Sequence, residues 1–197
     1  SVSGKTLLVH GCGNVGATVA EKLLSLGAKR VYTVDAVAER AEQPGCTALD
    51  ADAAWWTMEV DALVPCSASG LLTESRAAEI RAGASVGATN LPFASDEARR
   101  IAEQERGVVF VPEGVSSAGA VVVDSIEFFS NSTFSKSQPK LLYEFTREVV
   151  GEKVKDLLEQ AQRLRVAPSL VVPLIAEHDE TPVGAHFAES CKTAAIA

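Results

Sequence analysis

Apolar positions come in two rhythms along this chain, and the first part repeats them in strict alternation. Thr6-Leu7-Leu8-Val9-His10 is a short apolar run closed by Gly11. From Asn14 to Leu26 the apolar residues Val15, Val19, Leu23 and Leu26 recur at helical spacing until Gly27. A short run bounded by glycine reads as a strand, and a recurrence near 3.6 residues reads as a helix. Arg30-Val31-Tyr32-Thr33-Val34 is a second strand with Asp35 at its carboxyl end. The crossover between the two strands makes the pair parallel and right-handed. Three further strands are predicted at Ala62-Leu63-Val64-Pro65, Ser85-Val86-Gly87-Ala88 and Val108-Val109-Phe110-Val111. Helices from Thr73 to Ala82 and from Ser95 to Arg106 separate them, opened by the capping residues Thr73 and Ser95 with acidic neighbours.

Strands alternating with helices at this spacing predict an α/β fold, a Rossmann-type doubly wound parallel sheet. After Val123 the rhythm changes. Ser130 to Gln138 is polar, Leu141 to Arg165 is one long amphipathic stretch of one or two helices, and Pro168 to Glu177 holds another short helix. The expected organisation is a dinucleotide-binding domain over 3–125, a helical extension over 126–177 and a weakly structured tail over 178–197.

Composition narrows the partners. The chain carries a net charge of −8 and has no long run of Lys or Arg, so the phosphate-neutralising surface that nucleic acid requires is missing and no nucleic-acid partner is expected. No stretch is apolar for long enough to span a bilayer. Cys12, Cys46, Cys66 and Cys191 form no CxxC pair, which points to free thiols in a reducing compartment, cytoplasmic or inside an organelle, and against a metal site.

The chemistry is concentrated where strand meets helix. Gly11-Cys12-Gly13-Asn14-Val15-Gly16 joins the first strand to the first helix. In such a turn the first glycine permits a tight bend, the second lets backbone approach a pyrophosphate, and the third lets helix pack on strand. Free N–H groups at the helix start then face the phosphates. Asp35 stands at the spacing from which a carboxylate accepts hydrogen bonds from both adenosine ribose hydroxyls and repels a 2′-phosphate, which favours NAD over NADP. Its alternative is an ordinary surface-turn aspartate. Arg40, five residues on, is expected in solvent, and His10 is expected to be a packing residue. Neither Tyr32 nor Tyr143 is followed four residues later by lysine; Ala36 and Arg147 stand there. That excludes a reductase with its own Tyr-x-x-x-Lys acid. Trp55-Trp56 is placed on a helix edge or a partner surface.

Several motifs in order resemble the Glu/Leu/Phe/Val amino-acid dehydrogenases, most closely the leucine and phenylalanine branch. They are Gly4-Lys5-Thr6 before the first strand, the Gly-Asn-Val-Gly ending of the glycine turn, Pro65-Cys66-Ser67, Gly87-Ala88-Thr89-Asn90, and Val111-Pro112-Glu113-Gly114-Val115-Ser116-Ser117-Ala118-Gly119. The resemblance runs from about Ser3 to Glu177. It implies NAD as cofactor and adds Cys66, Ser67, Asn90 and Ser117 to Gly11, Gly13, Asn14, Val15, Gly16 and Asp35 as cofactor-site residues. Cys66 could equally be a plain buried thiol and Asn90 a turn residue. Ser117 departs from the family, which has asparagine there. The family's catalytic lysines belong to a separate N-terminal domain, and no lysine here sits in a comparable glycine-rich loop. The chain is therefore expected to be the cofactor half of an amino-acid dehydrogenase, inactive alone, working with a catalytic domain or partner chain, with a homo-oligomer or larger assembly as the setting. The alternative is a catalytically dead structural or NAD-sensing subunit.

Overall fold

The structure is a computed structural model that describes residues 1–176 and 183–194. It divides into two compact units, Ser1–Glu113 and Gly114–Ala197.

The first unit contains β1 (Thr6–His10), α1 (Asn14–Ser25), β2 (Arg30–Val34), α2 (Ala38–Ala41), β3 (Thr47–Ala48), a 3-10 turn at Trp55–Thr57, β4 (Val60–Pro65), α3 (Glu74–Glu79), β5 (Ala82–Ser85), α4 (Asp96–Arg100) continued by a π-type turn, and β6 (Val109–Phe110). The strands form one six-stranded parallel sheet in the order β3-β2-β1-β4-β5-β6. This is the doubly wound dinucleotide-binding order, with the reversal of direction between β1 and β4. A parallel sheet of this kind is covered on both faces, and β1 shows why consecutive residues at its centre are apolar. Leu8 packs into a core with Val34, Leu63, Leu72 and Ile80. Its neighbour Val9 points the other way, onto Ala20, Val31 and Val64.

Most predicted elements of this unit stand where the pattern placed them, and two differ. The strand predicted over Ser85–Ala88 is Ala82–Ser85, because the backbone beyond it leaves the sheet: the N–H groups of Ala88 and Thr89 both donate to the Pro65 carbonyl. The helix predicted to Ala82 ends at Glu79, since Ile80 turns extended and buries its side chain in the core. The two-residue strand β3 went unpredicted, being too short to show a period. Thr73 and Ser95 cap as expected, their hydroxyls accepting from the N–H groups of Arg76 and Ala98.

The second unit is helical, with α5 (Glu113–Ser116) at the junction, then α6 (Gly119–Phe129), α7 (Asn131–Phe134), α8 (Pro139–Leu164), a 3-10 turn at Pro168–Leu170, α9 (Val172–Ala176) and α10 (Val183–Ala194). The divide falls at Glu113, ahead of the expected boundary near 125. Val121-Val122-Val123, a β-branched run, lies inside α6, with Val122 and Ile126 buried. The amphipathic stretch is one helix that begins with Pro139 in its first turn and stops at Arg165, whose backbone is left-handed at φ 57°. The region expected to be weakly structured contains α10, which sends Phe187 into a core with Val122, Ile126 and Leu142, its ring edge-on to Phe145 at 5.1 Å. The many small residues around Phe187 dilute its helical pattern. Glu177 and His178 lie outside the described residues.

Candidate functional site

The glycine turn is built as its spacing requires. Gly11 has φ +90°, and a Cβ there would meet the Ser67 Cβ at 2.6 Å and the Cys66 carbonyl oxygen at 2.7 Å. A Cβ on Gly16 would overlap the Gly11 carbonyl oxygen. Both positions therefore need glycine for the protein's own packing. Gly13 does not: its backbone is ordinary, with φ −68°, and a Cβ there would enter open space. That space is a cleft of about 470 Å³ lined by Cys12, Gly13, Asn14, Ala17 and Arg40. Asn14 and Val15 form the exposed first turn of α1, which has no side-chain cap, so backbone N–H donors there are free to face an anion.

Asp35 is buried at the tip of β2. One carboxylate oxygen accepts from the Cys12 N–H at 2.7 Å and the other from the Val37 N–H at 2.9 Å. Burial pushes this carboxyl up, but the donors of Val37 and Cys12, with Arg40 and His10 nearby, outweigh it and hold it below its ordinary value. The carboxylate thus ties the glycine turn to the end of β2, and its remaining lone pairs stay available. Burial, then the charge on Asp35, pushes the Cys12 thiol up to about 11. Cys66 is raised by burial as well. All four cysteines are free thiols, and these two are protonated at neutral pH.

The loops after β4 and β5 meet beside the turn. The Cys66 N–H donates to the His10 carbonyl at 2.7 Å. The Ser67 N–H donates to the Thr89 hydroxyl, which returns a bond to the Ser67 carbonyl. Gly87 is needed because a Cβ there would overlap Pro65. Asn90 is exposed, with its carbonyl accepting from the Ser69 hydroxyl at 2.6 Å. Beyond it Leu91 adopts φ 49°, anchored where its N–H donates to the Glu113 carboxylate.

The structure thus gathers Gly11, Gly13, Asn14, Val15, Gly16, Asp35, Cys66, Ser67 and Asn90 in the first unit, at the carboxyl ends of the strands. Ser117 lies in the second unit, between α5 and α6. Two residues set aside from the sequence belong to the site's surroundings. Arg40 is exposed as expected, and it also lines the cleft, because α2 starts only three residues beyond Asp35. His10, half-buried, contacts Ser67 with its ring. Thr89 carried no signal in the sequence beyond its place in the Gly87–Asn90 motif. No group of His, Cys, Asp and Glu among the described residues could hold a metal ion, and no described helix is long and apolar enough to cross a membrane.

Comparison with known proteins agrees with this fold. NAD-specific glutamate dehydrogenase of Staphylococcus aureus (strain COL) is 31% identical over 179 residues, which cover 81% of this chain and 41% of that protein. NADP(+)-dependent glutamate dehydrogenase of Pyrobaculum calidifontis is 32% identical over 156 residues, 66% of this chain and 36% of that protein. The crystal structure of L-tryptophan dehydrogenase from Nostoc punctiforme superposes with a TM-score of 0.75 at 18% identity, covering 89% of this chain and 51% of that one. The chain spans about 40% of the length of the curated relatives it matches. Residues 32–172 match the profile of the Glutamate/Leucine/Phenylalanine/Valine dehydrogenase family, and the chain belongs to that family.

Proposed function

We propose that this chain is the cofactor-binding portion of an amino-acid dehydrogenase and that it holds NAD across the carboxyl ends of β1, β2 and β4. Gly13 carries the reading. Neither backbone conformation nor internal packing demands glycine there, since φ is −68° and the Cβ position is open. A pyrophosphate lying close over the turn does demand it. In this pose the phosphates sit on the N-terminus of α1, the adenosine ribose reaches the free lone pairs of Asp35, and the nicotinamide half extends toward Cys66, Ser67 and Asn90. The bound dinucleotide supplies the hydride acceptor; the chain binds it, orients it and keeps water from its reacting face. The substrate is an L-amino acid of the aliphatic or aromatic class, presented by a catalytic domain or partner chain.

One observation favours a second cofactor. Arg40 lines the same cleft, forms no ion pair among the described residues, and offers a guanidinium for a 2′-phosphate.

Calorimetric titration with NAD and NADP tests both readings. Gly13→Ala is expected to weaken NAD binding at least about tenfold while leaving the unfolding midpoint unmoved, because the added methyl meets only solvent. Unchanged affinity in Gly13→Ala would remove the pyrophosphate from this turn.

A further inference from the structure

Trp55-Trp56, expected on a helix edge or a partner surface, instead has Trp55 in the core and joins a chain of contacts that ends in the candidate site. Trp56 donates its indole N–H to Glu79 on α3 at 3.0 Å. The two indoles meet edge to face at 5.5 Å. The Arg76 guanidinium lies 4.9 Å from the ring centre of Trp56 and 5.4 Å from that of Trp55, and it is fixed from the other side by donating to the Leu71 carbonyl at 2.8 Å. Trp55, buried to 3% exposure, packs edge-on against the His10 ring at 4.7 Å. The His10 Nδ1 in turn sits 2.8 Å from the Ser67 hydroxyl oxygen. The Ser67 backbone is already clamped in both directions by Thr89, so what remains to be set at this residue is the direction of its side-chain hydroxyl.

Ser67 follows β4, on the far side of the reversal in strand order from Asp35. In a doubly wound sheet the two halves, β1-β2-β3 and β4-β5-β6, each take one nucleotide of a dinucleotide. With Asp35 at the adenosine half, Ser67 stands at the other. We infer that His10 is a positioning residue: its imidazole, held by the Trp55–Arg76–Trp56 stack, sets the direction of the Ser67 hydroxyl toward the nicotinamide half of the cofactor. The inference rests on the cofactor reading above and adds to it a role for four residues outside the family motifs.

The surroundings keep the imidazole neutral. Burial lowers His10 to about 4, with help from the positive Arg76 and opposed by Asp35. A neutral ring has one bare nitrogen, and with Nδ1 bare it takes the Ser67 proton into its hydrogen bond. The hydroxyl lone pairs are then turned outward to a donor such as the nicotinamide carboxamide N–H. An imidazolium could not do this, since both its nitrogens donate.

The test separates the two halves of the cofactor. The full chain is titrated with NADH, followed by its fluorescence, and with ADP-ribose, which has the adenosine and pyrophosphate but no nicotinamide. His10→Ala is expected to weaken NADH by about fivefold, the size of one lost hydrogen bond, and to leave ADP-ribose affinity unchanged. His10→Asn, whose amide reaches the Nδ1 position, restores NADH binding. Ser67→Ala shows the same split, and adding His10→Ala to it produces no further loss, as required of two residues acting through one hydroxyl. An equal loss for NADH and ADP-ribose in His10→Ala, or no loss for either, overturns the inference and leaves the cofactor reading standing. If the unaltered chain binds neither NADH nor ADP-ribose, the cofactor reading falls and the inference with it.

Discussion

The two units of this chain solve the burial problem differently. In the first, every strand is tied to its neighbours by parallel ladders, and even the loops are fastened. Gly11 N–H donates to the Val34 carbonyl, Cys66 N–H to His10, and Ala88 and Thr89 N–H to Pro65. The second unit has no sheet among its described residues and rests on side-chain packing around Val122, Ile126, Leu142 and Phe187. It leaves Val121, Phe128, Phe129 and Tyr143 largely exposed. Backbone hydrogen bonds hold loop positions to a fraction of an ångström, which a binding site needs. Packing alone holds helices together but specifies them less finely.

That contrast can be broken most forcefully at Phe187. It is the largest fully buried side chain among the described residues, and Phe187→Ala should cost about 3–5 kcal/mol in the second unit. Both tryptophans lie in the first unit, so their fluorescence reports that unit, whereas far-ultraviolet circular dichroism is weighted toward the helices of the second. The helical signal of Phe187→Ala is expected to melt well before the fluorescence changes. Coincident transitions, shifted together, would show the two units to be one cooperative body.

The converse change is Gly16→Ala. Its methyl would overlap the Gly11 carbonyl oxygen and approach the Cys66 Cβ, and backbone cannot move aside as a flexible side chain can. A loss of about 3 kcal/mol is expected in the fluorescence-detected transition, with the helical transition unmoved. A stable Gly16→Ala protein would mean that α1 can shift on β1, contrary to a rigid turn.

The same contrast governs what could be read in advance. The sheet was legible because Leu7-Leu8-Val9 and Val31-Tyr32-Thr33-Val34 are short runs of strand-forming residues, and the glycine turn because Gly11, Gly13 and Gly16 stand at the dinucleotide-turn spacing, although only Gly11 and Gly16 answer a demand of the protein's own packing. β5 was displaced because Ala82-Gly83-Ala84-Ser85 has no strand signature of its own; it becomes a strand by pairing with Val60–Leu63. Arg40 and His10 were set aside for a similar reason. What matters about each is what stands opposite in space: the open face of Gly13 for one, and Ser67 with Trp55 for the other. The α10 segment was hidden by its Ala, Gly and Ser residues, and the single aromatic that anchors it has its partners in α6 and α8.

Acid should also separate the units. His10 titrates near 4 in the folded first unit, against 6.5 without its surroundings. As pH falls through 6.5 the unfolded chain takes up a proton that the native chain refuses until about 4. Stability is therefore lost between these values and is unaffected by this group above 6.5. With Arg76 and Asp35 facing the ring and part of it open to solvent, the loss is on the order of 2 kcal/mol. Asp35, itself lowered, adds its loss only below its ordinary 3.8. In His10→Asn the fluorescence-detected stability should be flat from pH 6.5 to about 5; a slope unchanged by the substitution would place the titrating group elsewhere.

The smallest expected effect concerns the exposed groups themselves. In the second unit the exposed residues named above are apolar, whereas the exposed Arg40 of the first is a cation at the rim of the cleft. If the cleft reads the ribose 2′ position through Asp35 and Arg40 together, the two should pull in opposite directions. Arg40→Ala then lowers NADP affinity about fivefold at low salt and less at high salt, because a solvent-facing charge pair is screened, and leaves NAD nearly unchanged. Asp35→Asn keeps an oxygen for one of its two backbone donors but removes the charge, and so narrows the gap between NAD and NADP from the other side. An Arg40→Ala protein that loses NAD and NADP affinity by the same factor would place the guanidinium on the pyrophosphate common to both cofactors, and Asp35 alone would then carry the discrimination.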